Sequence, residues 1–225
     1  MSRSRTLTNL LDDVRKAADI EGAAARFPDA ELTEYINQSI ARLYTMLDRL
    51  DSTHYQNTQT ITTVSGTKAY SLADSFWTLK GVRVRVSGNV QFRARRYMPE
   101  EGQWLDTMGV WAQGNPVCYR LVGNTIAFSP VPTGAYTVYV DYTDAPTRLS
   151  SGGDTFDGIA GFERWVVLDA AIKCKQKDSL DPGLLLGEKA ELELWITTMA
   201  SSRDVGQPER VQDVQGDFYS WPDWS

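Results

Sequence analysis

Apolar residues in this chain change their spacing twice, from a period of about 3.6 to one of about 2 and back again, which limits the architecture to helices, then strands, then helices. Behind Thr6, a residue able to cap a helix, Leu7, Leu10, Leu11, Val14, Ala17 and Ala18 recur at helical spacing. Gly22 and the alanines after it are expected to close that helix. Pro28-Asp29 opens a longer one, with Asp29 as its N-cap and Leu32, Ile36, Ile40, Leu43, Leu47 and Leu50 on one stripe. Two such helices joined by a short turn make an αα-hairpin.

From Tyr55 the pattern becomes β-type. Residues 58–64 are rich in Thr and Ile, and Ser65-Gly66 is a turn signal. Val82, Val84 and Val86 alternate with Arg83 and Arg85; Ser87-Gly88-Asn89 turns the chain; Phe92 and Ala94 alternate with Arg93 and Arg95. Val117-Cys118-Tyr119-Arg120-Leu121 and Thr125-Ile126-Ala127-Phe128 flank Gly123-Asn124, a tight-hairpin signal. A last strand of alternating Tyr and Val spans 135–142.

Helical spacing returns after the Gly-rich loop 150–153. Ile159, Phe162, Trp165, Val166, Leu168, Ala171 and Ile172 cover a wide arc, which predicts a helix buried over much of its circumference. Asp181-Pro182 reads as an N-cap and first-turn pair, followed by a predicted buried stripe of Leu185, Leu192, Trp195, Ile196 and Met199. The order predicts an α+β fold: a four-helix bundle from the N- and C-terminal helices, an inserted antiparallel β-sandwich or barrel-like domain, and an extended C-terminal arm. The expected boundaries are 1–54, 55–149, 150–202 and 203–225.

At 225 residues the chain can bury a real core. A net charge of -6 speaks against gripping nucleic acid over the whole surface, though not against a local basic patch. Cys118 and Cys174 are far apart in sequence and form no metal-like or redox-like pair, so a reducing cytoplasm is expected. No apolar run approaches the roughly 20 residues of a membrane span, and the N-terminus shows no signal-peptide pattern. The expectation is a soluble protein made in the cytoplasm, without a membrane anchor.

Chemistry is sparse. His54 stands alone at the end of the second helix and reads as a solvated or capping residue. Asp154-Thr155-Phe156-Asp157-Gly158 resembles a calcium loop but lacks its alternating acids and closing Glu, so a loop-and-cap role fits better. Glu100-Glu101 has no partner at a spacing suited to acid–base work. With no nucleophile–base constellation, an enzyme is not expected, nor a metal or other cofactor.

Two features point to interactions instead. The hairpin 83–96 carries Arg83, Arg85, Arg93 and Arg95; on regular strands each pair shares one face. Such a face suits solvent, the carboxylates of an adjacent subunit, or phosphates, and charge alone does not choose among them. The C-terminus holds Phe218, Tyr219, Trp221 and Trp224 behind a polar linker, 201–216, that spans up to about 50 Å when extended. Aromatics of this kind act as anchors, on the parent fold or, as favoured here, on a partner chain.

Several segments together resemble the head-to-tail adaptor (connector, head-completion) proteins of tailed bacteriophages. They are Phe27-Pro28-Asp29-Ala30-Glu31-Leu32-Thr33-Glu34-Tyr35-Ile36-Asn37-Gln38-Ser39-Ile40-Ala41-Arg42-Leu43-Tyr44, the strands Asn115-Pro116-Val117-Cys118-Tyr119-Arg120-Leu121 and Ile126-Ala127-Phe128-Ser129-Pro130-Val131-Pro132, Val140-Asp141-Tyr142 with Pro146 and Leu149, and Phe162-Glu163-Arg164-Trp165. The resemblance covers about residues 5 to 200 and rests on their order. It implies a structural virion protein of the neck, assembled in the host cytoplasm. Such adaptors form a ring, commonly of twelve copies, on the portal protein, join it to a tail or nozzle protein, and leave an axial channel for double-stranded DNA during genome ejection. A C-terminal arm along the portal would be this chain's aromatic tail. The rival expectations are a β-sandwich carbohydrate- or host-surface-binding virion module using Trp104 and Trp111, or another tail protein such as a terminator or tube subunit.

Overall fold

The computed structural model describes residues 5–50, 55–88, 90–98, 101, 113–158 and 161–202. A short strand, β1 (Arg5–Thr6), leads into α1 (Leu7–Ala18) and α2 (Asp29–Arg49). The strands β2 (Gln56–Thr62), β3 (Ala69–Ser71), β4 (Phe76–Ser87), β5 (Val90–Arg93), β6 (Arg95–Arg96), β7 (Gln113–Gly114), β8 (Cys118–Val122), β9 (Thr125–Ser129), β10 (Val131–Pro132), β11 (Thr137–Asp144) and β12 (Thr155–Phe156) follow. The chain returns to helix in α3 (Glu163–Lys177) and α4 (Gly183–Ser202).

Thr6 caps α1 as its chemistry predicts: its hydroxyl accepts the Asn9 N–H at 3.3 Å. The helix stops earlier than Gly22, because Asp19 adopts the left-handed conformation (φ 59°) and its N–H folds back to the Arg15 and Lys16 carbonyls. Asp29 is not the cap of α2. Pro28 holds that position, and Asp29, one residue inside, pairs with Arg15 of α1 instead. The predicted stripe of α2 is buried from Leu32 to Leu47.

Helix α3 occupies the centre of the helical region and packs on α1, α2 and α4. Trp165, Val166, Val167, Leu168, Ala170, Ala171, Ile172 and Cys174 are all buried, as the wide apolar arc predicts. Asp181 and Pro182 start α4 as expected: the Asp181 carboxylate accepts the Gly183 N–H at 2.9 Å, and the Leu186 N–H reaches the Pro182 carbonyl at 3.0 Å. The predicted stripe of α4 needs correction. Ile196 and Ala200 are its buried residues, Leu185 and Leu192 pack partly, and Trp195 and Met199 are exposed. A helix with apolar residues on every side does not reveal by periodicity which side is covered.

The strands form two four-stranded sheets, ordered β2-β11-β4-β5 and β3-β9-β8-β6, with the small pairs β1-β12 and β10-β7 beside them. Val82 and Val84 of β4, Val138 and Val140 of β11 and Ile61 of β2 share one buried cluster with Ile126 and Phe128 of β9. Period-2 alternation points these residues to one face of each sheet. The Gly123-Asn124 turn forms as predicted, with Val122 opposite Thr125 and Gly123 at φ 58°. Most pairings are antiparallel, but β6 pairs with β8, and β10 with β7, in parallel. The helices bury a separate cluster, which also takes in Leu149 and Phe156 from the segment between β11 and α3.

Candidate interaction surfaces

The arginine hairpin is assembled from β4 and β5 and then interrupted. Val82 and Val84 point into the sheet core, so Arg83 and Arg85 share the outer face of β4. Arg93 lies directly opposite Arg83 in the antiparallel register. Arg95 does not continue that face: Ala94 is buried, its N–H donates to the Val82 carbonyl, and Arg95 begins β6 in the other sheet. The chain thus changes sheets between Arg93 and Arg95, so regular alternation fails there.

Each arginine meets a different environment. Arg83 makes a two-point contact with Asp141 of β11, at 2.9 and 3.0 Å, and lies over the Tyr139 ring. Burial would push the Asp141 carboxyl up, but the bonds from Arg83 and the Thr58 hydroxyl outweigh it and hold it below the usual range. Arg85 donates to the Gly88 carbonyl at 2.6 Å, and Arg95 reaches Glu101 at 3.4 Å. Arg93 has no ion-pair partner among the described residues. It borders a groove of about 380 Å³ lined also by Lys80, Arg83, Gln91 and Asp141.

A second polar centre, which the sequence reading missed, is buried among the helices. Asp169 of α3 is 2% exposed. It accepts from Ser39 at 2.7 Å, Lys189 at 2.9 Å and Arg42 at 3.2 Å, with Lys173 at 3.3 Å. Burial alone would raise this carboxyl; the Ser39 hydroxyl and the two lysines outweigh it and hold it at about 2. A lone acid inside the apolar run from Trp165 to Ile172 is the signal that marks such a centre. Helices α2, α3 and α4 are keyed together at this one carboxylate.

A third joint ties α2 to the sheets. Asp48, near the end of α2, accepts from Thr143 of β11 at 2.8 Å and pairs with Lys80 of β4 at 2.9 Å. Beside it, Tyr44 stacks on Tyr55 with ring centroids 3.7 Å apart and donates to Asp157 at 2.7 Å. Burial, then that carboxylate, pushes the Tyr44 phenol up.

His54, Glu100, Trp104, Trp111 and the tail residues Phe218, Tyr219, Trp221 and Trp224 lie outside the described residues. Asp154 works as a loop organiser, its carboxylate accepting the Ser150 and Ser151 N–H groups at 2.7 and 2.8 Å. Among the described residues no group of three or more His, Cys, Asp or Glu is placed to hold a metal ion, and no helix is long and apolar enough to cross a membrane.

No curated protein matches this sequence. Residues 5–192, from β1 into α4, match the family described as SU10 adaptor protein, a span that includes all three polar centres and both four-stranded sheets. With most of its length inside that match, the chain belongs to the SU10 adaptor protein family, a family of phage head–tail adaptors whose role is structural.

Proposed function

We propose that this protein forms a ring, commonly of twelve copies in such adaptors, on the portal of its phage, and joins the capsid to a tail or nozzle protein around the DNA exit channel. The observation that carries this reading is a family match that runs unbroken through helices, sheets and returning helices, rather than over one module. Heterologous contacts between copies of one chain close into a ring when their rotation permits. A net charge of -6 suits a duct that double-stranded DNA must leave, since the genome would touch its wall only transiently and without sequence preference.

On this reading α1 to α4 act as a four-helix bundle and the two larger sheets as an inserted β-sandwich, divided at 1–54, 55–149 and 150–202, with 203–225 as an arm toward the portal. Phe218, Tyr219, Trp221 and Trp224 dock on the portal or a neighbouring copy. Of the basic hairpin, Arg93 is the residue most open to a neighbour's carboxylate or to DNA, because Arg83, Arg85 and Arg95 already have partners in the chain. The particle site is the neck, after assembly in the host cytoplasm.

The test is to mix the purified full-length chain with the portal of its phage and image the product by electron microscopy. A ring seated on the narrow end of the portal is the expected result; portals that stay bare refute the proposal.

A further inference from the structure

Two surfaces of this fold are unlike each other and complementary. Helix α4 turns an apolar stripe outward: Leu184 is 93% exposed and Leu194 71%, and Trp195 flanks them. Between them Gly187 faces open space, and Glu191 is exposed, with no ion-pair partner among the described residues. Leu184 and Trp195, eleven residues or about three turns apart, stand in line with Leu194 beside them, and exposed apolar side chains grouped on one helix side mark an interaction face.

The other surface is a groove of about 570 Å³ on the outer side of α2, where Arg42, Thr45, Met46, Arg49 and Leu50 meet Trp77 of β4. Its floor is apolar and its rim cationic. Arg49 has no ion-pair partner among the described residues, and Arg42, although it touches Asp169, keeps 63% of its side chain in solvent. An apolar stripe carrying a carboxylate fits an apolar groove rimmed by the guanidinium groups of Arg49, unpaired among the described residues, and Arg42, which is largely in solvent.

The two surfaces also stand at one height. Arg42 of α2 and Lys189 of α4 meet the same oxygen of Asp169, at 3.2 and 2.9 Å. Both helices run antiparallel to α3: Lys173 reaches back to the Tyr35 carbonyl of α2, and on the other helix Glu193 accepts from Trp165 and Trp195 stacks edge-on against Phe162. Thr45, three residues beyond Arg42, is therefore level with Leu192, three beyond Lys189, to within one helical turn of Leu194. Two different patches of one chain close into a ring when their rotation permits, and patches level along the helix axes suit a ring whose axis runs parallel to those helices.

We infer that the lateral contact between copies of this chain inserts the outer stripe of α4 from one copy into the Trp77 groove on α2 of the next, with Glu191 facing Arg42 and Arg49. The inference rests on the ring reading above and names its interface. A short bismaleimide added to a T45C/L194C double variant of the full-length chain, mixed with the portal, tests it; the natural Cys118 and Cys174 are both buried and stay unlabelled. A ladder of dimer, trimer and higher species is expected, with neither single variant producing one. As a second readout, R49E weakens ring formation at least about fivefold and R49E/E191R restores it, consistent with about 1 kcal/mol from the pair at each contact. A product that stops at dimer, or a monomer-only product while rings are visible on the portal, overturns the inference and leaves the ring reading intact. Bare portals with the unmodified chain overturn both.

Discussion

Arg83 and Asp141 form a two-point ion pair across neighbouring strands, and the residue facing Arg83 on its other side, in register, is a second arginine, Arg93. One cation of the outer sheet face is thus neutralised by Asp141, while the next has no ion-pair partner among the described residues. Removing Arg83 with Ala leaves Asp141 with the Thr58 hydroxyl alone and is expected to cost about 1 kcal/mol; a fully buried pair would cost more, but Arg83 is half in water. R93E is expected to stabilise the isolated chain by a few tenths of a kcal/mol, because opposite charges then face each other across the strands. Urea unfolding of both variants checks the pair, and equal losses in the two would contradict this placement.

The same residue separates two roles for the hairpin. If Arg93 meets a neighbour's carboxylate, R93E weakens ring assembly and the wild-type ring is salt-sensitive in the absence of DNA. If it lines the channel, R93E rings form normally and retain less DNA. Electron microscopy of assembled particles, with packaged DNA measured alongside, reads both, and a variant unchanged in each would remove Arg93 from either role.

Asp169 sets an acid limit on stability. Its carboxyl is held near 2 in the fold, against about 3.9 in an unfolded chain. A depressed carboxyl stabilises the fold above its unfolded value and loses that contribution as pH falls through the folded one. Denaturant midpoints should therefore decline between about pH 5 and pH 2, with this group contributing about 2 kcal/mol of the loss. D169N removes its share of that slope. It is also expected to destabilise by about 3 kcal/mol at pH 7, because Lys173 and Lys189 are left partly buried beside a neutral amide.

Asp48 links helices to sheets, so D48A is expected to lower stability by about 1–2 kcal/mol through the loss of its Lys80 and Thr143 bonds. Hydrogen exchange should rise at the end of α2 and in β4 and β11 before it rises in the helical core. Uniform acceleration across the chain would show that the joint does not act locally.

Deleting residues 217–225 removes Phe218, Tyr219, Trp221 and Trp224 together. The expected outcome is an isolated chain whose stability changes by less than about 0.5 kcal/mol and whose attachment to the portal weakens at least tenfold, the scale of a lost aromatic anchor. Equal attachment in a co-sedimentation assay would return the tail to the parent fold.

Sequence signals match the structure wherever their cause is itself local. Thr6 caps α1 because its hydroxyl needs only the N–H three residues on, and Gly123-Asn124 closes a hairpin because a two-residue turn demands positive φ. The stripe from Leu32 to Leu47 and the burial of α3 over much of its circumference followed from spacing alone. Helix boundaries and choices between faces depend on residues distant in sequence. Asp19 ended a helix that Gly22 was expected to end, and Asp29 spent its carboxylate on Arg15 instead of a cap. Arg95 left the sheet that Arg93 belongs to, since the pull of β8 as a pairing partner is invisible in the residues between them.

By itself the sequence determined the kinds of element, their order and the family, because periodicity, turn chemistry and motif order are properties of neighbouring residues. Only the tertiary structure decided which side of α4 is covered, which cations gather around Asp169 and that Arg93 faces Arg83 with no ion-pair partner among the described residues. Those outcomes depend on residues such as Ser39, Asp169 and Lys189, which meet only once the chain has folded. A charge alternating with apolar residues fixes a face, but its partner is chosen by packing across the whole fold.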